Sequence, residues 1–321
     1  MQFLGYEISS PTVLAPMAGV TDYAYRCICA ELGVGVTVTE MVSSRALVYQ
    51  DKKSRSLLRK NPGSLCGAQI IGNDPEIMAQ AAALAVEYSS CDFIDINMGC
   101  PMPKIANNGD GSGLMKDIPL AGRIVKAVVD KVSVPVTVKT RLGWDKGSIR
   151  VVEMAKELEA CGASAITVHG RTKTMLYSGK ADWDEIGKVT AAVNIPVIAN
   201  GDLTCGEDAI RCREHSGGAL FMVGRAAFGD PWVFREIHCA LMGLPVPERP
   251  PLADRLTVAQ RQFELALEDK GEHIACLEAR KQLAWYLRGV PHSNYYKDKI
   301  SHIATGEEVY EIIHAMKRDL R

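Results

Sequence analysis

The stretch Asp95-Ile96-Asn97-Met98-Gly99-Cys100-Pro101 carries one thiol, Cys100, held between Gly99 and Pro101 with Asn97 three residues behind it. An ordinary thiol, with a pKa of about 8.5, is mostly protonated at neutral pH and can give up a proton without help from a metal. Use as a nucleophile would require a lowered pKa, of which the sequence shows no sign. Alone, a cysteine in a tight turn is more often a packing residue than a reactive one. Its company changes that reading: Pro16-Met17-Ala18 and Gln69 precede it, and Lys139 with Arg141, His169 with Arg171, Asn200-Gly201-Asp202 and Gly224-Arg225 follow.

Each of these groups ends an apolar run. The runs are Thr12–Ala15, Val36–Thr39, Leu65–Ile71, Phe93–Ile96, Val136–Lys139, Ala165–Val168, Val197–Ala199 and Ala219–Val223. Most are separated by amphipathic stretches such as Asp74–Tyr88, Leu120–Val132, Ile149–Glu159, Trp183–Val193 and Gly206–Glu214. Uninterrupted apolar strands alternating with helices imply parallel strands buried on both faces. Eight such units before residue 245 predict a (β/α)8 TIM barrel. Helix starts are expected at Asp74-Pro75 and at Thr204 with Glu207. An open doubly wound sheet fits less well, because the first run leads into Ala15-Pro16-Met17-Ala18-Gly19 and not into Gly-x-Gly-x-x-Gly.

In a barrel the carboxyl ends of all strands share one mouth, so the polar groups above converge. Asn200-Gly201-Asp202 and Gly224-Arg225 follow strands seven and eight, a common phosphate position, although two ordinary turns would read the same way. A phosphorylated group entering there places its reactive end over Lys139 and His169, with Gln69 offering a donor and an acceptor to an amide edge. Flavin mononucleotide (FMN) meets these demands, with Lys139 facing the side of the ring that gathers negative charge on reduction.

Of the 321 residues, 47% are hydrophobic and 23% charged, and the net charge of −1 provides no global field for a nucleic acid, so any polyanion must be met by local patches. The ten cysteines include no Cys-x-x-Cys pair and no zinc spacing, which predicts neither a metal nor a disulfide framework. Reduced thiols, an N-terminus unlike a leader and the lack of a long apolar run predict a soluble cytoplasmic chain without a membrane segment. The composition changes at the Pro-rich Leu244–Pro251, giving residues 1–245 as the barrel and 246–321 as a small all-α helical bundle over Leu252–Lys270, His273–Arg288, Asn294–Ile303 and Glu307–Leu320. There Thr305 with Glu308 has capping-box spacing. Arg280, Lys281, Arg288, Tyr295, Tyr296, Lys297 and Lys299 interleave bases with aromatics, as RNA binding would use. Acidic residues are about as numerous, so a plain solvated bundle reads nearly as well.

Taken in order, Ala15–Asp22, Glu40–Ser44, Gln69–Gly72, Asp95–Pro101, Val138–Trp144, Val168–Thr172, Asn200–Asp202, Gly224–Ala226 and, in the tail, Ala279–Leu287 resemble the tRNA-dihydrouridine synthases, most nearly the bacterial B class. The resemblance implies an FMN enzyme that reduces the C5=C6 bond of selected tRNA uridines, expected in the D-loop, at the expense of NADPH or NADH. It implies that Pro16, Met17, Ala18, Gln69, Lys139, His169, Asn200, Gly201, Asp202, Gly224 and Arg225 hold FMN. Hydride would pass from flavin N5 to C6, and Cys100 would give the proton to C5. Asn97, Arg141 and Arg171 would serve the substrate, Asn97 at the uracil edge and Arg171, with Lys104, toward RNA. The target base must leave its stack to lie on the flavin, and residues 246–321 would grip the tRNA body. No obligate protein partner is expected. The loop after Cys100 departs from the family pattern: Met102-Pro103 replaces a frequently basic pair, and Asp110 and Gly113 stand where small apolar residues are usual. Two alternatives share parts of this reading, an FMN barrel reducing a small free molecule and a non-enzymatic RNA-binding protein.

Overall fold

The computed structural model describes residues 1–320. Eight parallel strands, Thr12–Leu14, Val36–Val38, Leu65–Ile71, Phe93–Met98, Val136–Arg141, Ala165–His169, Val197–Asn200 and Leu220–Val223, pair in sequence order. The eighth returns to the first with Val223 opposite Leu14, which closes the barrel. Beyond the second strand, Val42–Ser43 rejoins the third opposite Ile70 and Ile71, an extension the sequence did not suggest. Helices outside and side chains inside cover both faces, which is why the strands read as continuous apolar runs. Inside, Val13, Val36, Leu65, Phe93, Ile198 and Leu220 pack on Phe3 and Ile8, which plug the amino end. Gly67 makes room for this packing: a Cβ there would stand 2.2 Å from the Phe93 ring.

Helix ends follow local chemistry. The Asp74 carboxylate accepts from the N–H groups of Glu76 and Ile77, with Pro75 in the first turn of Pro75–Ser89. Thr305 and Glu308 form the expected capping box on Gly306–Asp319. At Thr204 the expectation fails: Cys205 is the N-cap of Gly206–Ser216, and the Thr204 N–H donates to Asp208 at 3.0 Å instead. The helix begins one residue later than the Thr204–Glu207 spacing requires.

Helix Tyr23–Glu31 escaped the amphipathic pattern because it lacks a solvent stripe. Tyr25 and Cys29 enter the barrel shell, whereas Ala24, Cys27 and Ile28 belong to the core of the C-terminal bundle. That bundle comprises Leu252–Lys270, Glu272–Tyr286, Asn294–Ser301 and Gly306–Asp319, after the last barrel helix ends at Gly243 with φ +66°. Three contacts near the mouth anchor it. Phe228 stacks on Trp285 with ring centroids 4.6 Å apart. Gly229, at φ +66°, lets the chain approach the Trp285 backbone, where a Cβ would come within 2.3 Å. Lys270 joins Asp22 and Glu278 at 2.5 Å each. Among the described residues no helix is long and apolar enough to cross a membrane.

Candidate active site

The strand ends open into one cavity of about 800 Å³, and the fifteen residues singled out for catalysis, cofactor and substrate all border it. Lys104 is exposed and stands outside it.

Cys100 is fixed from two sides. The Asn97 Oδ1 accepts from the N–H of Gly99 at 3.1 Å and of Cys100 at 2.9 Å, a local turn that the fourth strand delivers as it ends. The Cys100 carbonyl accepts from the Ser112 hydroxyl at 2.8 Å, so the far end of the loop is tied back. The residue is 9% exposed, and burial pushes its thiol pKa up, with the Met102 N–H, Arg141 and Lys139 only partly opposing. It is therefore a protonated thiol at neutral pH, suited to an acid and not to a nucleophile.

Behind it runs a chain of buried amides. Asp95, 2% exposed, accepts from Gln69 Nε2 at 2.7 Å and from the Thr137 hydroxyl at 2.6 Å. The Gln69 Oε1 accepts from Asn97 Nδ2 at 2.9 Å, so a rigid line runs from the barrel interior to the Cys100 turn. Burial raises the Asp95 pKa, while Thr137 and Gln69 stabilise its ionised form. The Lys139 Nζ reaches Asn200 Oδ1 at 3.1 Å, and Asn200 Nδ2 donates to the Met222 carbonyl. Enclosure first, and then Arg141, brings the Lys139 pKa down to about 8 against the pull of Asp95. For His169, burial and then the cations Lys139, Arg141, Arg171 and Arg225 hold the pKa well below its usual value, leaving a neutral imidazole.

Asn97, Arg141 and Arg171 border the cavity and also make contacts within the fold. Arg171 is 2% exposed, and its guanidinium binds both oxygens of Asp202 at 2.7 and 2.8 Å and the carbonyls of Ser178 and Gly179. Asp202 also accepts from the Ala181 N–H at 2.7 Å, so this pair clasps the loop after strand six to the end of strand seven. Arg141, 3% exposed, donates from Nε to the carbonyl of Gly99 and from Nη1 to those of Thr172 and Leu176, and burial lowers its pKa to about 10. The Asn97 side chain accepts from the N–H groups of the Cys100 turn and donates to Gln69, which fixes the backbone of the thiol from the cavity wall.

The remaining residues suit a flat, phosphorylated, anionic ligand. A Cβ at Gly224 would extend into the cavity, meeting only Met17 Sδ at 3.8 Å and Ala15 Cβ at 4.0 Å. Gly201, at φ +118°, leaves no room for a Cβ, which would stand 2.7 Å from Ala181 Cβ. Arg225 keeps a half-exposed guanidinium 3.7 Å from Asp202 and 4.8 Å from the Tyr177 ring centroid. A rim cation at the end of strand eight, with Lys139 deeper in, offers one positive charge to a phosphate and another to a ring that gathers negative charge on reduction.

Sequence reasoning missed Asp95 as part of the site, and also Tyr177, Met41 and Arg288, which border the cavity. Tyr177 lies in a loop without periodicity. Arg288 belonged to the basic and aromatic tail, but nothing along the chain placed it at the mouth.

The sequence model of the family described as Dihydrouridine synthase (Dus) matches residues 13–320. The chain is 40% identical over 298 residues to a probable tRNA-dihydrouridine synthase of Rickettsia conorii, covering 92% of this chain and 89% of that protein. It is 41% identical over 290 residues to tRNA-dihydrouridine synthase B of Vibrio vulnificus, covering 90% and 89%. With that enzyme of Pseudomonas aeruginosa it shares 40% over 300 residues, 93% and 90%. Among solved structures, a histamine dehydrogenase from Rhizobium sp. 4-9 shares the fold with a TM-score of 0.60 at 12% identity; the match covers 83% of this chain and half (50%) of that longer protein. Because the family match spans barrel and bundle alike, the chain belongs to the dihydrouridine synthase family and is a flavin-dependent oxidoreductase with tRNA-dihydrouridine synthase activity.

Proposed function

We propose that the protein reduces the C5=C6 bond of selected tRNA uridines, with FMN as cofactor and NADPH or NADH as reductant, and that Cys100 protonates C5. The observation that carries this reading is a protonated, 9%-exposed thiol at the edge of the cavity, with its backbone pinned by Asn97 and Ser112. Bound FMN supplies the hydride for C6, drawn from NAD(P)H. Hydride addition at C6 moves charge onto the C4 carbonyl oxygen and makes C5 basic, so an acid must stand beside C5, and Cys100 fills that role. Its thiolate recovers a proton from solvent, and the net change is one hydride and one proton added per uridine.

Pro16, Met17 and Ala18 wall the cofactor space, and Gly201, Gly224 and Arg225 receive its phosphate. Lys139, steadied by Asn200, offsets negative charge on the ring, while neutral His169 and Gln69 hold it by hydrogen bonds. Asp202 serves through its clasp on Arg171. Asn97, Arg141 and Arg171 act as positioning residues. Residues 246–321 hold the tRNA body, with Arg288 closest to the cavity.

The test is anaerobic. Flavin reduced by NADPH in the wild type should be rapidly reoxidised by tRNA from cells lacking this protein and not by free uridine. Cys100→Ala should keep its flavin and still be bleached by NADPH, but lose reoxidation by roughly 10²–10⁴-fold. Equal reoxidation by free uridine would favour a small-molecule reductase, and an undiminished rate in Cys100→Ala would remove the thiol from the mechanism.

A further inference from the structure

Beside the main mouth lies a second pocket of about 280 Å³, and Met41 lines both. It is smaller than the ~300–1,000 Å³ sites of drug-sized ligands and suits a single ring system. Its apolar side is Met41, Ile71 and Ile105, and its polar side is Ser44, Arg45 and Asp110. Arg45 is exposed and Asp110 half-buried, so both present their charge to whatever enters. Asp110 is half-buried, its carboxylate neither caps the short helix Gly111–Lys116 nor joins an ion pair among the described residues, and burial raises its pKa against the pull of Arg45. Ser44, only 2% exposed, lines the pocket, and its hydroxyl lies against Gly72. A Cβ at Gly72 would stand 2.2 Å from that hydroxyl, so Gly72 keeps the space open. A carboxylate outside any ion pair among the described residues, a guanidinium and a hydroxyl around an apolar slot form a recognition surface.

The walls belong to the catalytic loop. Asp110 and Ile105 lie on the segment that returns from Cys100, a Cβ at Gly111 would stand 3.0 Å from Cys100 Cβ, and Asn73 Nδ2 donates to the Asn108 carbonyl at 2.8 Å to hold that segment against the third strand's end. A carboxylate accepts best from two parallel N–H groups, and among the four bases only guanine carries two adjacent donors, N1–H and N2–H, next to an acceptor, O6. Resting on the tRNA reading above, we propose that this pocket receives an unpaired guanine neighbouring the target uridine, its N1–H and N2–H donating to Asp110 and its O6 facing Arg45. A base seated there sets the register of the RNA strand across the mouth and steadies the loop that carries Cys100.

Kethoxal, which adds across N1 and N2 of unpaired guanines, reads this contact directly. The oxidised holoenzyme is bound to tRNA from cells lacking the protein, probed with kethoxal and sequenced, and compared with Asp110→Asn after thermal melting and flavin content verify its fold. The expected result is one guanine, within a few nucleotides of the reduced uridine, protected by the wild type and reactive in the Asp110→Asn complex, with tRNA binding weakened about tenfold or more. If the wild type protects no guanine near the target, or the variant protects the same one equally well, the guanine pocket is overturned. If the wild type forms no tRNA complex in a gel shift and reduces no uridine, the functional reading itself fails, which is a separate outcome.

Discussion

Lys139 and Cys100 share one wall of the cavity, and the same enclosure acts on them in opposite senses. It disfavours the charged form of each, so the thiol keeps its proton while the ammonium is brought toward losing its own. For Lys139 the sign follows from linkage. Unfolded, a lysine titrates near 10.5; in the fold it titrates at about 8, so the fold pays for this charge in full below pH 8. The cost fades between pH 8 and 10.5, where the unfolded chain binds the extra proton. Apo Lys139→Met should therefore be more stable than the apo wild type at pH 7, by roughly 1–2 kcal/mol because the cavity admits water, with the difference shrinking by pH 10. Urea melts at both values check it. The same substitution should slow flavin reduction by NADPH, since the cation that offsets ring charge is gone. A pH-independent difference would show that packing, and not charge, is responsible.

At the scale of elements, the helix Tyr23–Glu31 links the bundle to the cofactor wall. Asp22 caps it by accepting from the Tyr25 N–H at 2.9 Å, and Asp22 closes the loop that begins at Pro16. Lys270, from the longest bundle helix, reaches the same carboxylate, with Asp22 only 4% and Lys270 18% exposed. Removing one partner of so enclosed a pair leaves the other charge uncompensated. Lys270→Met is expected to lower stability by about 3 kcal/mol and to weaken flavin retention, measurable by thermal melting and by flavin release on dilution. Gly229→Ala should also destabilise, because its positive φ and the Trp285 backbone leave no place for a methyl group. A Gly229→Ala protein that melts like the wild type would mean that the barrel–bundle approach is less tight than the geometry requires.

For the whole molecule, barrel and bundle share a core, since Ala24, Cys27 and Ile28 of the barrel layer pack among Leu256, Phe263, Leu283 and Ile300. The bundle also brings Arg288 to the cavity. A chain ending at residue 245 is expected to expose that apolar face and to be recovered poorly soluble or without flavin, whereas the full chain should melt in one cooperative transition. Two resolved transitions in calorimetry would contradict this coupling.

Much of this organisation was legible along the chain for a physical reason. Parallel strands buried on both faces leave continuous apolar runs, and a barrel sends their polar ends to one mouth, so the sequence alone gathers Gln69, Cys100, Lys139, His169 and Gly224. The tail helices were legible because each keeps a wet face. Helix Tyr23–Glu31 was not, since the barrel and the bundle bury it from two sides and erase its periodicity. The partners of the polar residues were decided by tertiary structure alone. Residue type does not say that Arg171 meets Asp202, that Arg141 meets the Gly99 carbonyl or that Asn97 meets Gln69, because these contacts join chain segments brought together only by folding. The same holds for Asp110 and Ser44, far apart in the sequence, which only the closed barrel sets around one pocket beside the main cavity.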